Sequence, residues 1–444
     1  MSRRHLFGLP ASRQSRRLVL SLSAATILLW VGGSAILPML PTYLRRHGSD
    51  PAIVGIVMAS YFAASVVTQY PVGRLSDRVG RRPVVLGGLL VFAAGSVGFA
   101  VLTGAFPAIA FRALQGVGAG SVTVASAATI GTEVDPAERG AAFGALYGSQ
   151  MLALAVGPLV GSIAGEQRMD LLFLAAAVAS VAAALPVLAV VPRVGVPRVG
   201  VPRVAVPRVA PPLGGLPSGG LEGLELEMLA SGAPAGLGHL AEGRRFRPSP
   251  AFTGVLVVFA ATGLLAGAYE ACWTLLMTLR HATSFDVGLS WTLFALPFAV
   301  LSVPAGWLAS RADRRLLVIG SLGCSAVFCA VYPLLHSVVL LLAFCSFEAV
   351  GSVVGTPAAV LVLTRTVPAR SQGAAQGSVE TARTAATALA AAGSGALFGI
   401  DPVVPFAAVA VAVVVSCAGV AWAWRALPGE VSGIAARVGA ARPG

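Results

Sequence analysis

The sequence has few charged residues and no lysine at all. Asp, Glu, Lys and Arg together make up 11% of the 444 residues, whereas soluble domains carry about 25%. Hydrophobic residues make up 56% of the chain, and the mean hydropathy is +0.84. This composition excludes a soluble globular protein and predicts an all-α protein that crosses a membrane many times.

The residues that catalysis or metal binding requires are also scarce. The five cysteines fall inside apolar runs without metal or redox spacing, which predicts small buried side chains and no disulfide; they are Cys272, Cys324, Cys329, Cys345 and Cys417. The five histidines lie in predicted loops or at span ends: His5, His47, His239, His281 and His336. No Gly-Lys motif for cradling phosphates is present, which argues against a nucleotide-driven pump. We therefore expect no enzyme, no cofactor and no metal.

Twelve apolar runs are long enough to cross a hydrocarbon core of about 30 Å, which takes about 20 helical residues. We number these spans 1 to 12; they cover residues 18–40, 51–72, 84–102, 105–130, 140–164, 171–191, 251–279, 287–309, 316–335, 338–363, 372–397 and 402–424. A secretory signal is the alternative for the first run. That run is too long for a signal and more spans follow it, so we expect a retained helix.

The net charge of +13 does not predict a nucleic-acid partner, because the arginines follow the loops instead of one soluble face. Only four arginines fall in the odd-numbered connections: Arg45, Arg46, Arg168 and Arg280. The rest of the loop arginines lie in the tails and the even-numbered connections. The positive-inside rule therefore predicts that both termini are cytoplasmic, in a cell membrane.

The connection between spans 2 and 3 is unusually rich in arginine. Residues 73–83 place four arginines and one carboxylate between two apolar runs. This stretch resembles the loop signature of the major facilitator superfamily, Gly-x-Leu-x-Asp-Arg-x-Gly-Arg-Arg, which it matches at Gly73, Leu75, Asp77, Arg78, Gly80, Arg81 and Arg82. The resemblance implies a gate on the cytoplasmic side, in which Asp77 approaches the start of span 11 while the loop arginines meet Glu133 or Asp135.

The same loop occurs again in the second half of the chain. One offset carries Gly73, Leu75, Arg78 and Arg82 onto Gly306, Leu308, Arg311 and Arg315. An even number of spans in each half then gives two parallel pseudo-repeats of six helices. The second loop has Ser310 in place of Asp77 and Asp313 in place of Gly80, so we expect only the first loop to keep its full role.

The repeat divides the chain into five segments. Residues 1–17 form a cytoplasmic tail, 18–191 the first six-helix bundle, 192–250 a linker rich in Pro, Arg and Gly, 251–425 the second bundle, and 426–444 a second cytoplasmic tail. The linker begins with four copies of Val-Pro-Arg-Val-Gly/Ala, in which the prolines favour an extended spacer. Its arginines have two interpretations: contact with anionic lipid, or a plain tether between the bundles.

Five ionisable residues fall inside predicted spans: Arg112, Glu270, Glu348, Glu380 and Arg383. Each costs at least ~2.5 kcal/mol to insert, so each must face protein or water and is a candidate for substrate binding or proton coupling. Arg112 begins a stretch, Arg112-Ala-Leu-Gln115-Gly116, that is similar to a superfamily signature in span 4, where relatives use the arginine in proton transfer. The alternative is that Arg112 only fixes span 4 to a neighbour. Glu380 and Arg383 share one helix face and can simply pair.

Two further patterns resemble those of the twelve-span drug-proton antiporters. In span 5, Gly157, Pro158 and Gly161 partly match an antiporter element, with Ser162 where a last glycine is expected. In span 1, Gly32 precedes Pro38-Met-Leu-Pro41. Small residues permit close helix packing, and a proline frees a carbonyl and bends the helix.

These observations leave more than one function open. The favoured hypothesis is a monomeric, proton-coupled exporter of small amphipathic or drug-like compounds. An uptake symporter or facilitator for a nutrient such as a sugar or organic acid is the alternative, although span 1 lacks a carboxylate. A non-transporting receptor or a membrane enzyme is a remote third. The sequence does not identify the substrate.

Overall fold

The structure is a computed structural model that describes residues 12–102, 104–135, 138–191, 249–367 and 372–425. All regular secondary structure in these residues is helical, as the composition predicts. The predicted linker and tails lie outside the described residues over 1–11, 192–248 and 426–444. The described parts of the two halves belong to one compact unit.

The first half contains six predicted spans in eight α-helices and one 3₁₀ turn. Span 1 comprises Arg13–Ile36 and Leu40–Arg46, span 2 Pro51–Val79, span 3 Arg81–Val101, span 4 Ala105–Glu133, span 5 Arg139–Ala164, and span 6 Met169–Ala182 with Ala184–Val190; the 3₁₀ turn Glu166–Arg168 precedes span 6. The first helix thus begins within the residues expected to form the N-terminal tail.

The second half repeats this order. Span 7 is Pro250–Leu279, span 8 Ser284–Arg311, span 9 Arg314–Val331 followed by the 3₁₀ turn Tyr332–Leu334, span 10 Val338–Ser352 with Gly355–Thr366, span 11 Gln372–Phe398, and span 12 Val404–Ala423. Eleven of the twelve are long and apolar enough to cross a membrane. Span 11 is 27 residues long but is not among them, since Ser, Thr, Gly, Glu380 and Arg383 make it more polar.

Two glycine-dependent features shape the bundle. Gly80 has φ 93° and ψ 160°, a conformation that L side chains rarely adopt, and it separates span 2 from span 3 within a single residue. Span 7 carries Gly263 and Gly267, at which a Cβ would overlap the carbonyl oxygens of Arg383 and Thr387 in span 11. This close approach is the small-xxx-small packing of membrane helices.

The helix ends define two ends of the bundle. One end, which we call the loop end, carries Gly80 and the turn between spans 8 and 9. The other, which we call the opposite end, carries the turns that follow the odd-numbered spans. The halves meet through backbone contacts near the opposite end, where a Cβ at Gly55 in span 2 would lie 2.5 Å from the Ala391 carbonyl oxygen in span 11. On the other side, a Cβ at Gly288 in span 8 would lie 2.5 Å from the Pro158 carbonyl oxygen in span 5.

Candidate functional site

Arg112 is held rigidly inside the first half. Its side chain is 2% exposed and donates a hydrogen bond of 2.8 Å from Nη1 to Oε1 of Gln115, one helical turn along span 4. Gln115 in turn donates to the Ser96 hydroxyl in span 3 at 2.9 Å. The guanidinium carbon lies 4.6 Å from the centre of the Tyr61 ring in span 2, within the range of a cation–π interaction. Three spans therefore fix this cation.

Glu270 faces that cation from the second half. Its carboxylate lies within electrostatic range of Arg112 and Tyr61; the residue as a whole is only partly buried, and among the described residues it forms no ion pair with Arg112. Its Oε2 atom is buried without a hydrogen-bond partner in the described chain, as is Nε of Arg112. Glu270 lies nine residues from the end of span 7 and Arg112 seven from the start of span 4, so both sit about 10–14 Å below the opposite end. We call Tyr61, Arg112, Gln115 and Glu270 the interface cluster.

Glu348 belongs to a separate cluster within the second half. Its side chain is 2% exposed and accepts hydrogen bonds from the Tyr269 hydroxyl at 3.0 Å and the Tyr332 hydroxyl at 2.7 Å. Ser325 contributes a third hydroxyl. Tyr269 directly precedes Glu270, so span 7 presents neighbouring residues to the two clusters.

Glu380 and Arg383 pair with each other on span 11. Arg383 Nε donates to both carboxylate oxygens of Glu380, at 3.0 and 3.1 Å, and its Nη2 also contacts Oε1. The two side chains are 42% and 45% exposed. Tyr147 of span 5 lies within their electrostatic range. The pair thus lies apart from the interface cluster and largely satisfies its own charges.

Some residues of the arginine-rich loop, residues 73–83, bond to neighbouring spans and others do not. Arg81 forms an ion pair with Glu133 at 3.8 Å and a hydrogen bond to Thr132. Arg82 donates to the Leu188 and Val191 carbonyl oxygens at 2.8 and 3.2 Å, which caps the end of span 6. Asp77 and Arg78 are exposed and make no hydrogen bond or ion pair with any other residue that the structure describes. Gly73 faces Val124 of span 4.

The antiporter-like element of span 5 joins the two halves. A Cβ at Gly157 would overlap Ser34 and one at Gly161 would overlap the Ala35 carbonyl, both in span 1. Around Pro158, the Ala153 carbonyl accepts a hydrogen bond from Ser34 at 3.0 Å, and the Ala155 carbonyl accepts one from Thr292 of span 8 at 2.7 Å. One face of span 5 therefore packs on span 1 of its own half, and an adjacent face packs on span 8 of the other half.

The sequence did not predict three tyrosines that contact the charged residues. Tyr61 lies against Arg112, and Tyr269 and Tyr332 donate to Glu348. Each is an aromatic residue in or beside an apolar run, and nothing in its spacing distinguishes it from other packed rings. Tyr269 carried a usable signal, because it is adjacent to an acid inside a span. Within the described residues, no group of three or more His, Cys, Asp or Glu is placed to hold a metal ion.

Membrane-length helices in two similar halves, with a buried arginine and a partly buried carboxylate between the halves, define an α-helical membrane protein of the transporter class. The family model described as Major Facilitator Superfamily matches residues 22–279 and 251–441. The chain belongs to the major facilitator superfamily. This superfamily is one of membrane transporters.

Individual relatives match only part of the chain. The inner membrane transport protein YajR of Escherichia coli is 36% identical over 148 residues, 33% of each chain. The chloramphenicol resistance protein of Pseudomonas aeruginosa is 34% identical over 147 residues, covering 33% of this chain and 35% of that one. The class H tetracycline resistance protein of Pasteurella multocida is 32% identical over 158 residues, covering 34% of this chain and 39% of that one. The matches thus span about a third of these relatives.

Solved structures share the fold over almost the whole chain. A bacterial homologue of the human lysosomal transporter Spinster superposes with a TM-score of 0.69 at 13% identity, covering 94% of this chain and 98% of that one. A peptide transporter POT gives a TM-score of 0.69 at 18% identity, with coverage of 94% and 97%. At these identities the likeness establishes the fold alone.

Proposed function

We propose that this protein exports small amphipathic, drug-like compounds by alternating access and couples their export to protons at Glu270. The observation that carries the proposal is the geometry of the interface cluster. A buried carboxylate oxygen without a hydrogen-bond partner in the described chain faces a fixed guanidinium across the boundary between the two halves. A charge placed this way responds directly to a proton.

The coupling follows from elementary electrostatics. Ionised Glu270 is attracted to Arg112, and this attraction is stronger than in bulk water because Arg112 and one Glu270 oxygen are buried. A proton on Glu270 removes the attraction without moving either helix. The two protonation states therefore favour different separations of the halves at this depth, which links proton binding to the conformational change.

The distribution of arginines supports a membrane orientation. At the loop end lie Arg74, Arg78, Arg81, Arg82, Arg139, Arg311, Arg314 and Arg315, whereas the opposite end carries Arg45, Arg46, Arg168 and Arg280. By the positive-inside rule the loop end is cytoplasmic, together with both termini, in the cell membrane. The glycine contacts then close the outer side in this conformation, and the exposure of Asp77 fits a cytoplasmic gate that is not engaged.

Export is favoured over uptake by two observations. Relatives that match parts of the chain are named for resistance to chloramphenicol and tetracycline. The antiporter-like element of span 5 also lies at the contact between the halves, where Gly157, Pro158 and Gly161 permit close packing on two sides. Uptake of a nutrient by symport is the competing function.

The test is transport by inverted membrane vesicles with Glu270→Gln. We expect the variant to lose accumulation driven by an imposed pH gradient but to keep downhill substrate exchange at equal pH, because glutamine is permanently neutral. Asp401→Asn, an exposed carboxylate-to-amide change in the turn after span 11, serves as the matched control. If Glu270→Gln still accumulates substrate on a gradient, coupling lies elsewhere, and Glu348 and Glu380 become the candidates. Movement of substrate and protons across the vesicle membrane in the same direction would instead favour uptake by symport.

A further inference from the structure

A cavity in the second half combines aromatic walls with one acid. Its walls include Tyr269 and Trp273 of span 7, Trp291 and Phe294 of span 8, and Tyr332 after span 9, with Glu348 of span 10 among them. We call these six residues the aromatic cage. The empty space among these side chains, including the part that opens to the outside of the cavity, is about 330 Å³. It lies inside one half and shares no residue with the interface cluster.

The charge of the cage is not balanced by the protein. Glu348 is held by hydroxyl groups alone, and no arginine pairs with it among the described residues. Taking an ionised carboxylate out of water costs several kcal/mol unless a counter-charge accompanies it. A carboxylate also has about four acceptor positions. The Tyr269 and Tyr332 hydroxyls occupy one position on each oxygen, and the Ser325 hydroxyl lies near a third, so about one position stays open. The site therefore retains capacity for a cation.

The rings around Glu348 are arranged as walls and do not stack. Trp273 and Tyr332 have centroids 4.9 Å apart at an interplanar angle of 77°. Tyr269 and Tyr332 are 6.1 Å apart at 79°, and Tyr269 and Trp273 6.2 Å apart at 68°. Edge-to-face contacts hold these rings against one another, and the rings that line the cavity beside an acid supply the aromatic faces that recognise quaternary ammonium groups through cation–π attraction.

We infer that the aromatic cage binds the cationic group of a substrate, an ammonium or quaternary amine attached to an apolar body, with Glu348 as its counter-charge. Glu270 and Glu348 then have different tasks, coupling and recognition. The assignment of this ligand as a transport substrate rests on the proposed function, whereas the binding itself does not. Span 8 also links the cage to the other half, because Thr292, next to the wall residue Trp291, donates to Ala155.

Equilibrium dialysis tests the inference with the full-length protein in lipid nanodiscs, without a pH gradient. The probe is radiolabelled benzyltrimethylammonium, a permanent cation with an aromatic body. We expect saturable binding to the wild type and at least tenfold weaker binding to Glu348→Gln. Unlabelled probe should displace the label, while benzenesulfonate, an anion with the same ring, should not. Asp401→Asn is the matched control and should bind as the wild type does.

A second variant covers the case in which Glu348→Gln does not fold. Trp273→Leu keeps an apolar side chain but removes a ring face, and we expect it to weaken binding at least threefold. Because it also removes the 2.8 Å hydrogen bond from Nε1 to the Ser290 hydroxyl, size-exclusion chromatography must first show that the variant is folded. The inference is overturned if folded Glu348→Gln binds the probe with wild-type affinity, if the wild type shows no saturable binding, or if benzenesulfonate competes as well as the cation. Binding lost in Glu270→Gln but kept in Glu348→Gln would place the cation at the interface cluster instead. Failure of the proposed coupling appears only in gradient-driven transport, so the two results are separable.

Discussion

Replacing Gly288 with alanine should open the bundle at its opposite end. In the present conformation the new Cβ would lie 2.5 Å from the Pro158 carbonyl oxygen and would overlap the Ser162 side chain. Real Cβ atoms do not approach a backbone oxygen this closely, so either span 5 or span 8 must move. Both helices are packed against their own halves, and the yielding element is therefore the boundary between the halves.

The size of the effect follows from the cost of overpacking. One extra methyl group in a tightly packed site typically costs about 1–3 kcal/mol. The closed conformation bears this cost, while a conformation in which spans 5 and 8 are separated does not. A difference of about 1–3 kcal/mol changes the ratio of two conformations by about 5- to 150-fold. Gly306→Ala is the matched control, since it lies on the same span with nothing within 4 Å of its added Cβ.

Pulsed electron–electron double resonance can measure the shift. Spin labels at Ile163, in the first half, and Ile400, in the second, are 76% and 78% exposed near the opposite end, in a background with the native cysteines replaced. We expect Gly288→Ala to add a longer-distance population that Gly306→Ala does not show. Identical distance distributions for the two variants would refute the assignment of this contact as the closure between the halves.

Three further predictions use other parts of the molecule. Asp77→Asn should abolish transport while the protein still reaches the membrane, because Asp77 is proposed to engage the start of span 11 only in the other conformation; full transport would remove its gating role. Cysteines introduced at positions 218 and 336 should be labelled from opposite sides of the membrane, as the arginine distribution predicts, and labelling from one side would contradict that orientation. Trp424→Phe should lower the free energy of unfolding by at least about 0.5–1.5 kcal/mol, because it removes the 3.0 Å hydrogen bond from Nε1 to the Ala251 carbonyl and leaves a smaller ring in a fully buried position; unchanged stability in chemical denaturation would contradict this expectation.

The architecture was largely predictable, since the length of apolar runs and the position of arginines follow directly from the bilayer. Span 11 shows the limit of that reasoning. Its polar residues and small side chains reduce its hydropathy, yet it packs closely on span 7 through Gly263 and Gly267. Its helix is stabilised by neighbouring protein as well as by lipid, and composition alone does not report that.

The site was predictable only as a set of single residues. The cost of burying a charge identified Arg112, Glu270 and Glu348, but their partners come from spans far away in sequence. Glu348 meets Tyr269, 79 positions earlier, and Arg112 meets the ring of Tyr61. These pairings depend on how each helix is rotated about its axis. A periodic pattern fixes that rotation only when one face is polar, and most faces of these spans are apolar.

The backbone contacts between the halves have a consequence for the rate of the conformational change. Where Gly55 meets Ala391 and Gly395, no hydrogen bond joins the two helices among the described residues, so separating them breaks none there. The Thr292 hydroxyl does donate across the boundary to Ala155, but the Gly288 carbonyl within its own helix is already 3.3 Å away and can accept the same proton when the halves part. The two halves can therefore separate at these contacts without an intermediate in which a buried hydrogen-bond donor has no acceptor. We therefore expect a lower activation barrier for opening than hydrogen bonds across the same contact would give.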